Sequence, residues 1–274
     1  FTFSLHGLTS IHKRIFTGIF KHAGILRDYE ISKKEWVLDG ASVSYGFAFE
    51  LKGALSHDIQ RERDFKYTGM DMSEIVKHIA QFTSDIWQIH PFCEGNTRTT
   101  AVFIIKYLRS LGFDVNNTTF EKNSWYFRNA LVRANYQNLQ KGIYKETIHL
   151  ERFFRNLLMG EDNVLMNRHL HIKAKELLDG TTPASTPTST PTSVIPESEN
   201  VKRLISAIAE KQLSVKEMMA AVGLKDRPNF IEYSLSPAMR EGYVRMLYPD
   251  SPRHPRQKYL LTVKGLAAYK ELSR

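Results

Sequence analysis

The chain has 274 residues, 42% of them hydrophobic, with a net charge of +9 and a single cysteine. That length holds one medium domain and one small one with genuine cores, and no apolar run nears the ~20 residues a membrane span needs. Cys93 alone excludes an internal disulfide framework and any multi-cysteine zinc site, in keeping with a reducing, cytoplasmic setting, while the positive charge suits a partner rich in negative charge such as a nucleotide or nucleic acid.

The opening FTFSLHGLTSIHKR carries charge where a secretion signal is apolar, and Phe1 is not a natural start, which points to residues upstream. Ile11, Ile15, Ile19 and Phe20 mark one face of a helix within 8–23. From Trp36 to Gly46 the string WVLDGASVSYG reads as a short β-hairpin, because Asp39-Gly40 is a turn signal between Val/Leu and Val/Tyr pairs. Ser73 suits the N-cap of a helix whose inner face is Ile75, Val76, Ile79, Phe82 and Ile86. The pattern repeats at Ala101, Ile104, Ile105, Leu108 and Leu111, and Gly112 ends it. Further helices are expected in 118–136 and 144–159.

Thr, Ser and Pro then replace nearly everything that could build a core, so 181–195 reads as an exposed linker between a domain at 1–180 and another at 196–274. Past it come helical patterns at 199–211 and 214–222 with Gly223 as a stop, and a third from Asp226-Arg227-Pro228 to about Arg240. Strand-like runs at 243–248 and 257–263 flank PDSPRHPR. Helix, helix, helix, strand, wing, strand is the order of a winged helix-turn-helix. The fold class that follows is mainly α: a helical core with a short hairpin, plus this C-terminal module.

The chemistry concentrates in HPFCEGNTRTT, His90 to Thr100. Pro91 disfavours helical backbone at His90, so the preceding helix should stop there and deliver the imidazole to a loop that Phe92 pins to the core. Glu94 is a hard oxygen ligand suited to Mg²⁺ held jointly with phosphates. Gly95 and Asn96 allow a tight backbone, and with a helix beginning near Thr97 the exposed N–H groups form an anion site. Arg98 in the first turn can grip a phosphate in bidentate fashion.

His90, Phe92, Glu94, Gly95, Asn96 and Arg98 together resemble the Fic family signature, His-x-Phe-x-Asp/Glu-Gly-Asn-x-Arg. Six matches by accident have a probability on the order of 10⁻⁸ per window at roughly 5% usage per residue. The IHKRIFTGIFKHAG segment resembles a Fic core helix, and 36–46 lies where that family places its target-docking flap, so the resemblance covers roughly 7–160. It implies AMP transfer from ATP, with Mg²⁺, onto a Tyr, Thr or Ser hydroxyl of a target protein, His90 being the base. It also implies nucleotide or phosphate contacts at Gly95, Asn96, Thr97 and Arg98. The helix NSWYFRNALVRANY resembles the one beside the nucleobase, which makes Tyr126, Phe127 and Asn135 candidates for the base pocket.

Two positions depart from the family pattern. Thr97 stands where Gly is frequent, which leaves the orientation of the nucleotide open, and Ala101 replaces the second arginine that in many relatives holds the γ-phosphate or pairs with an inhibitory glutamate. The inhibitory Ser/Thr-x-x-x-Glu-Gly/Asn helix has no good copy; fragments at 193–200 and 44–50 lack its spacing. A thiol hydrolase built on Cys93 and His90 lacks an identifiable orienting Asn or Asp. Pro91 breaks the helical spacing that a zinc-protease pair of His90 and Glu94 would need.

From Pro196 to Arg274 there are 14 Lys/Arg against 9 Asp/Glu, a formal +5, with Arg253, His254 and Arg256 at the wing tip as candidate DNA contacts. The third helix is not notably basic, so DNA binding stands beside protein contact or dimerisation, and the oligomeric state is open. Two functions of different class follow: a nucleotidyltransferase with an accessory module, or a DNA-binding regulator whose core only senses a nucleotide. An enzyme transferring another phosphate-containing group is a variant of the first.

Overall fold

A computed structural model of the protein describes residues 1–174 and 194–274, so all but the last two residues of the expected linker lie outside the described residues. Two compact units emerge. The first comprises Phe1–Phe65, Val76–Tyr107 and 116–174; the second comprises Lys66–Ile75, Leu108–Val115 and 194–274.

In the first unit, α1 (Leu5–Phe16) starts where the Ser4 hydroxyl accepts from the Gly7 N–H at 3.0 Å and stops earlier than expected, because Thr17 leaves the helical region. A helix not expected from the sequence, α2 (Leu51–Asp64), buries Leu51, Leu55 and Ile59 and also Glu62. That buried carboxylate accepts from the Tyr107 hydroxyl and lies 2.7 Å from His78 Nε2, which satisfies both oxygens. Most of α3 (Met72–Ile89) and of α4 (Asn96–Ser110) lies in this unit, where Ile79, Phe82, Ile86, Phe103 and Ile104 are buried. The stretch expected as one helix over 118–136 is two, α5 (Thr118–Lys122) and α6 (Ser124–Ala134), broken at Asn123. α7 (Ile148–Met159) packs Phe153 against Phe127 and Phe120.

The expected hairpin forms its turn but not its strands. Asp39 and Gly40 both take positive φ, 54° and 83°, and the Glu35 N–H donates to the Ala41 carbonyl at 2.9 Å. Trp36–Leu38, however, is a single 3₁₀ turn. Val37 and Leu38, adjacent in sequence, are both buried, and a pleated strand sends neighbours to opposite faces. Burying both selects the turn.

Within the second unit the N-cap of α3 is Asp71 rather than Ser73: Asp71 and Glu74 exchange backbone-to-carboxylate hydrogen bonds at 3.0 and 2.7 Å. The C-terminal elements follow the expected order. α8 (Glu199–Ile208) is followed by α9 (Val215–Val222), with a Ser214/Glu217 capping box and Gly223 as its left-handed stop. α10 (Arg227–Phe230) runs through a π-turn, Ile231–Leu235, into α11 (Ser236–Arg240). The ring and missing N–H of Pro237 explain the widened turn, since both disfavour ordinary α-helical bonding at that point. Strands β1 (Val244–Met246) and β2 (Tyr259–Leu261) pair antiparallel, Leu213 bridges to Tyr259 on the other edge, and α12 (Val263–Leu272) closes the chain.

Gly112 and Gly242 meet back to back in this unit: a Cβ on either would lie 2.2 Å from the other's carbonyl oxygen, at φ of 97° and 80°. Gly242→Ala therefore adds left-handed strain to a backbone clash, and we expect a loss of about 2 kcal/mol or more in urea unfolding. An unchanged midpoint would show that this contact is not made.

Candidate functional site

α3 ends at Ile89 and the next residue, His90, is one of three non-glycine residues at positive φ among the described residues, 51°, ahead of Pro91. A left-handed histidine is costly, and its neighbours hold it there. Arg27, almost wholly buried, donates from Nε to the His90 carbonyl at 2.8 Å and from its terminal nitrogens to the carbonyls of Tyr29, Gly46 and Ile89. Its own N–H donates to the Pro91 carbonyl at 2.9 Å. Phe92 is buried and stacks on His12 at 3.8 Å. The Gly24 N–H donates to His12 Nδ1, so the ring proton sits on Nε2 and is given to the Glu94 carbonyl at 3.0 Å.

Asn96 spends its side chain on the loop itself, accepting from the Phe92 N–H at 2.9 Å and donating to the Phe92 carbonyl at 2.7 Å. Its expected phosphate contact can thus come only from backbone. Gly95 has φ 82°, and a Cβ there would lie 2.3 Å from the Phe16 ring, so only glycine lets the loop cross α1. Thr97 Oγ1 accepts from Trp87 Nε1 at 2.9 Å, and the exposed Arg98 guanidinium rests 4.7 Å above the Phe16 ring.

These residues line a cavity of about 250 Å³ formed by Lys33, His90, Glu94, Gly95, Asn96, Thr97, Arg98, Ser124, Trp125 and Arg128. His90 Nδ1 lies 3.3 Å from the Trp87 carbonyl, which can only accept; the proton therefore sits on Nδ1 and the Nε2 lone pair is free. Burial, and after it the Lys33 charge, push the His90 imidazole down to about 3, so it is neutral at ordinary pH. Tyr45 covers the ring at 4.1 Å. Opposite, Arg128 forms a bidentate pair with the buried Glu35 at 2.7 and 2.9 Å. Lys33 Nζ lies 3.3 Å from Glu94 Oε1, whose side chain is 59% exposed. Glu94 is the one carboxylate among the lining residues, a donor set that fits Mg²⁺ if phosphates complete the shell.

The structure does not bring Tyr126, Phe127 and Asn135 to this cavity. Tyr126 donates to the His149 carbonyl at 3.1 Å, Phe127 packs on Phe153, and Asn135 donates to the Ser84 and Leu131 carbonyls. All three are core. The neighbouring Trp125, 68% exposed, and Arg128 form a wall shared with a second cavity of about 540 Å³ that also involves Trp36, Asn129 and Asn167. Lys33, Trp125 and Arg128 were not singled out in the sequence; an aromatic and two bases on unrelated segments carry no spacing signal. In the second unit, Arg253 and His254 line a cleft of about 920 Å³ with Lys216, Lys225 and Arg227, whereas Arg256 is exposed outside it.

Comparisons with known proteins place the loop within a matched family profile. A Fic/DOC family profile matches residues 2–108, and a profile for the C-terminal domain of Fic-like (filamentation induced by cAMP) proteins matches 199–262. Protein adenylyltransferase VbhT of Bartonella schoenbuchensis is 26% identical over 115 residues, 42% of this chain and 23% of that one. The probable protein adenylyltransferase Fic of Escherichia coli is 24% identical over 118 residues, 43% and 56% of the two. The chain thus matches less than two thirds of the length of these curated relatives. Among solved structures, BepC of Bartonella tribocorum with bound AMPPNP aligns at 19% identity and a TM-score of 0.44, over 57% of this chain and 74% of that one. No helix among the described residues is long and apolar enough to cross a membrane. Residues 2–108 thus carry a Fic/DOC domain, and residues 199–262 carry the C-terminal domain of Fic-like proteins.

Proposed function

We propose that the protein transfers AMP from ATP to a Tyr, Thr or Ser hydroxyl of a target protein. One observation carries this reading: a histidine whose Nδ1 proton is taken up by the Trp87 carbonyl lines one cavity with the N-terminus of α4, the Glu94 carboxylate and the cations Lys33, Arg98 and Arg128. The hydroxyl oxygen attacks the α-phosphorus, the bond to the β-phosphate oxygen breaks, pyrophosphate leaves, and His90 Nε2 takes the proton. The first N–H groups of α4 and the Arg98 guanidinium face the charge that develops. Mg²⁺, when bound, offsets phosphate charge, and Glu94 is the residue that would hold it. The base rests on Trp125 toward the second cavity, with Asn129 and Asn167 as polar partners, rather than on Tyr126, Phe127 and Asn135. The names of the two adenylyltransferase relatives support the reaction class.

A second activity rests on the C-terminal unit, which we read as a winged helix that contacts DNA. Its cleft is lined by Lys216, Lys225, Arg227, Arg253 and His254 and by no carboxylate. A cytoplasmic location and self-association fit both activities.

Labelled ATP should leave label covalently on protein in the presence of Mg²⁺, and His90→Ala should cut that transfer by about 10²–10⁴-fold while ATP still binds. Transfer at the parental rate would remove His90 from the role. The neutral imidazole also makes the fold acid-sensitive. The folded pKa lies below the unfolded value of about 6.5, so this stabilisation is complete above pH 6.5 and is lost as pH falls toward 3, by up to about 1.4 kcal/mol per unit. Urea midpoints of the parent should therefore fall more steeply below pH 6.5 than those of His90→Gln; equal slopes would refute the buried neutral state. For the second unit, fluorescence anisotropy with a duplex should show salt-dependent binding weakened by Arg253→Ala, and no binding at low salt would exclude DNA.

A further inference from the structure

The cavity beside His90 holds more positive charge than its wall can spend internally, and one cation is free to change partners. Arg128 is committed: both of its terminal nitrogens bind Glu35, whose side chain is 2% exposed, so this pair is nearly neutral and anchored from behind. Arg98 sits in the first turn of α4, and position 101, one turn further on, is a buried alanine that adds no charge. Lys33 is different. Its backbone N–H donates to the Ser42 hydroxyl at 3.2 Å, and its side chain lines the cavity two residues before the Glu35 that holds Arg128. Its ammonium pairs with the exposed Glu94 carboxylate at 3.3 Å, its side-chain partner among the described residues. An exposed pair of this kind contributes little, about 0–1 kcal/mol, and yields to a stronger anion.

A nucleoside triphosphate brings several negative charges into this space. The α4 N-terminus and Arg98 can neutralise only part of them. We infer that Lys33 is the residue that selects a triphosphate: Glu94 holds its ammonium in the empty site, and it passes to the terminal phosphates when the nucleotide binds. The exchange frees the Glu94 carboxylate for Mg²⁺ at the moment phosphates arrive to complete the ion's shell. Lys33 is thus a specificity-determining residue, and the inference rests on the nucleotide reading of the cavity.

Calorimetric titration of the full chain with ATP and with AMP, with and without Mg²⁺, tests both levels. The parent should bind ATP more tightly than AMP. Lys33→Met should weaken ATP by about tenfold, leave AMP within about twofold, and so erase most of the discrimination; Lys33→Arg should restore it. Without Mg²⁺, Glu94→Gln should tighten ATP binding in the parent background and do so less in Lys33→Met, because only the parent has an ammonium to release. Equal ATP affinity in parent and Lys33→Met, or equal losses for ATP and AMP, would overturn the role of Lys33 while the nucleotide reading stands. A parent that binds neither nucleotide would overturn that reading and the inference with it.

Discussion

The Arg27 guanidinium is the interaction on which the site depends. It is a buried cation whose carboxylate partner, Glu30 at 3.7 Å, is exposed, and the carbonyls of His90, Ile89, Tyr29 and Gly46 that surround it make its burial tolerable. Those carbonyls belong to the end of α3, the segment after α1, and the end of the loop that carries Lys33 and Glu35. Each hydrogen bond to a charged donor contributes about 1.5–3 kcal/mol, which together exceeds the cost of a left-handed residue at His90. The strained backbone that turns the imidazole out of α3 and the placement of the covering loop therefore share one cause.

Around that clamp the electrostatics are divided by depth. The buried carboxylates have partners, Glu35 in Arg128 and Glu62 in Tyr107 and His78, and the buried Arg27 has its carbonyls. Charge that is exposed is exchangeable: Arg98 lies over an aromatic ring and Lys33 over Glu94. His90, buried and facing cations, stays neutral, and its Nδ1 proton is fixed by the Trp87 carbonyl. The roles proposed for His90, Glu94 and Arg98, as general base, metal ligand and phosphate contact, can share a cavity of about 250 Å³ because only the exchangeable members would meet an incoming anion.

The backbone of the loop from His90 to Arg98 was legible because it is dictated locally, by Pro91, by Gly95 and by the start of α4. The core placement of Tyr126, Phe127 and Asn135 was not. Trp125, Tyr126 and Phe127 are three aromatics in a row on α6, and helical phase sends the first outward and the other two into the core. Hydropathy cannot rank them, since the packing partners Phe153 and Phe120 come from other segments. The strands expected at 36–46 failed for a related reason: the turn residues are local, whereas the burial of both Val37 and Leu38 depends on what packs over them.

α2 escaped the sequence reading because only Leu51, Leu55 and Ile59 mark its inner face in an otherwise polar stretch with Gly53, and its burial of Glu62 makes sense only once Tyr107 and His78 are in place. By itself, then, the sequence determined the helical class, the order of the C-terminal elements and the stop at His90, all governed by interactions a few residues long. Only the tertiary structure decided which tautomer His90 adopts, which cations reach it and which aromatic is free to meet a ligand. Those depend on segments brought together across tens of residues, Arg27 on His90, Lys33 on Glu94 and Glu35 on Arg128, where no local spacing records the contact.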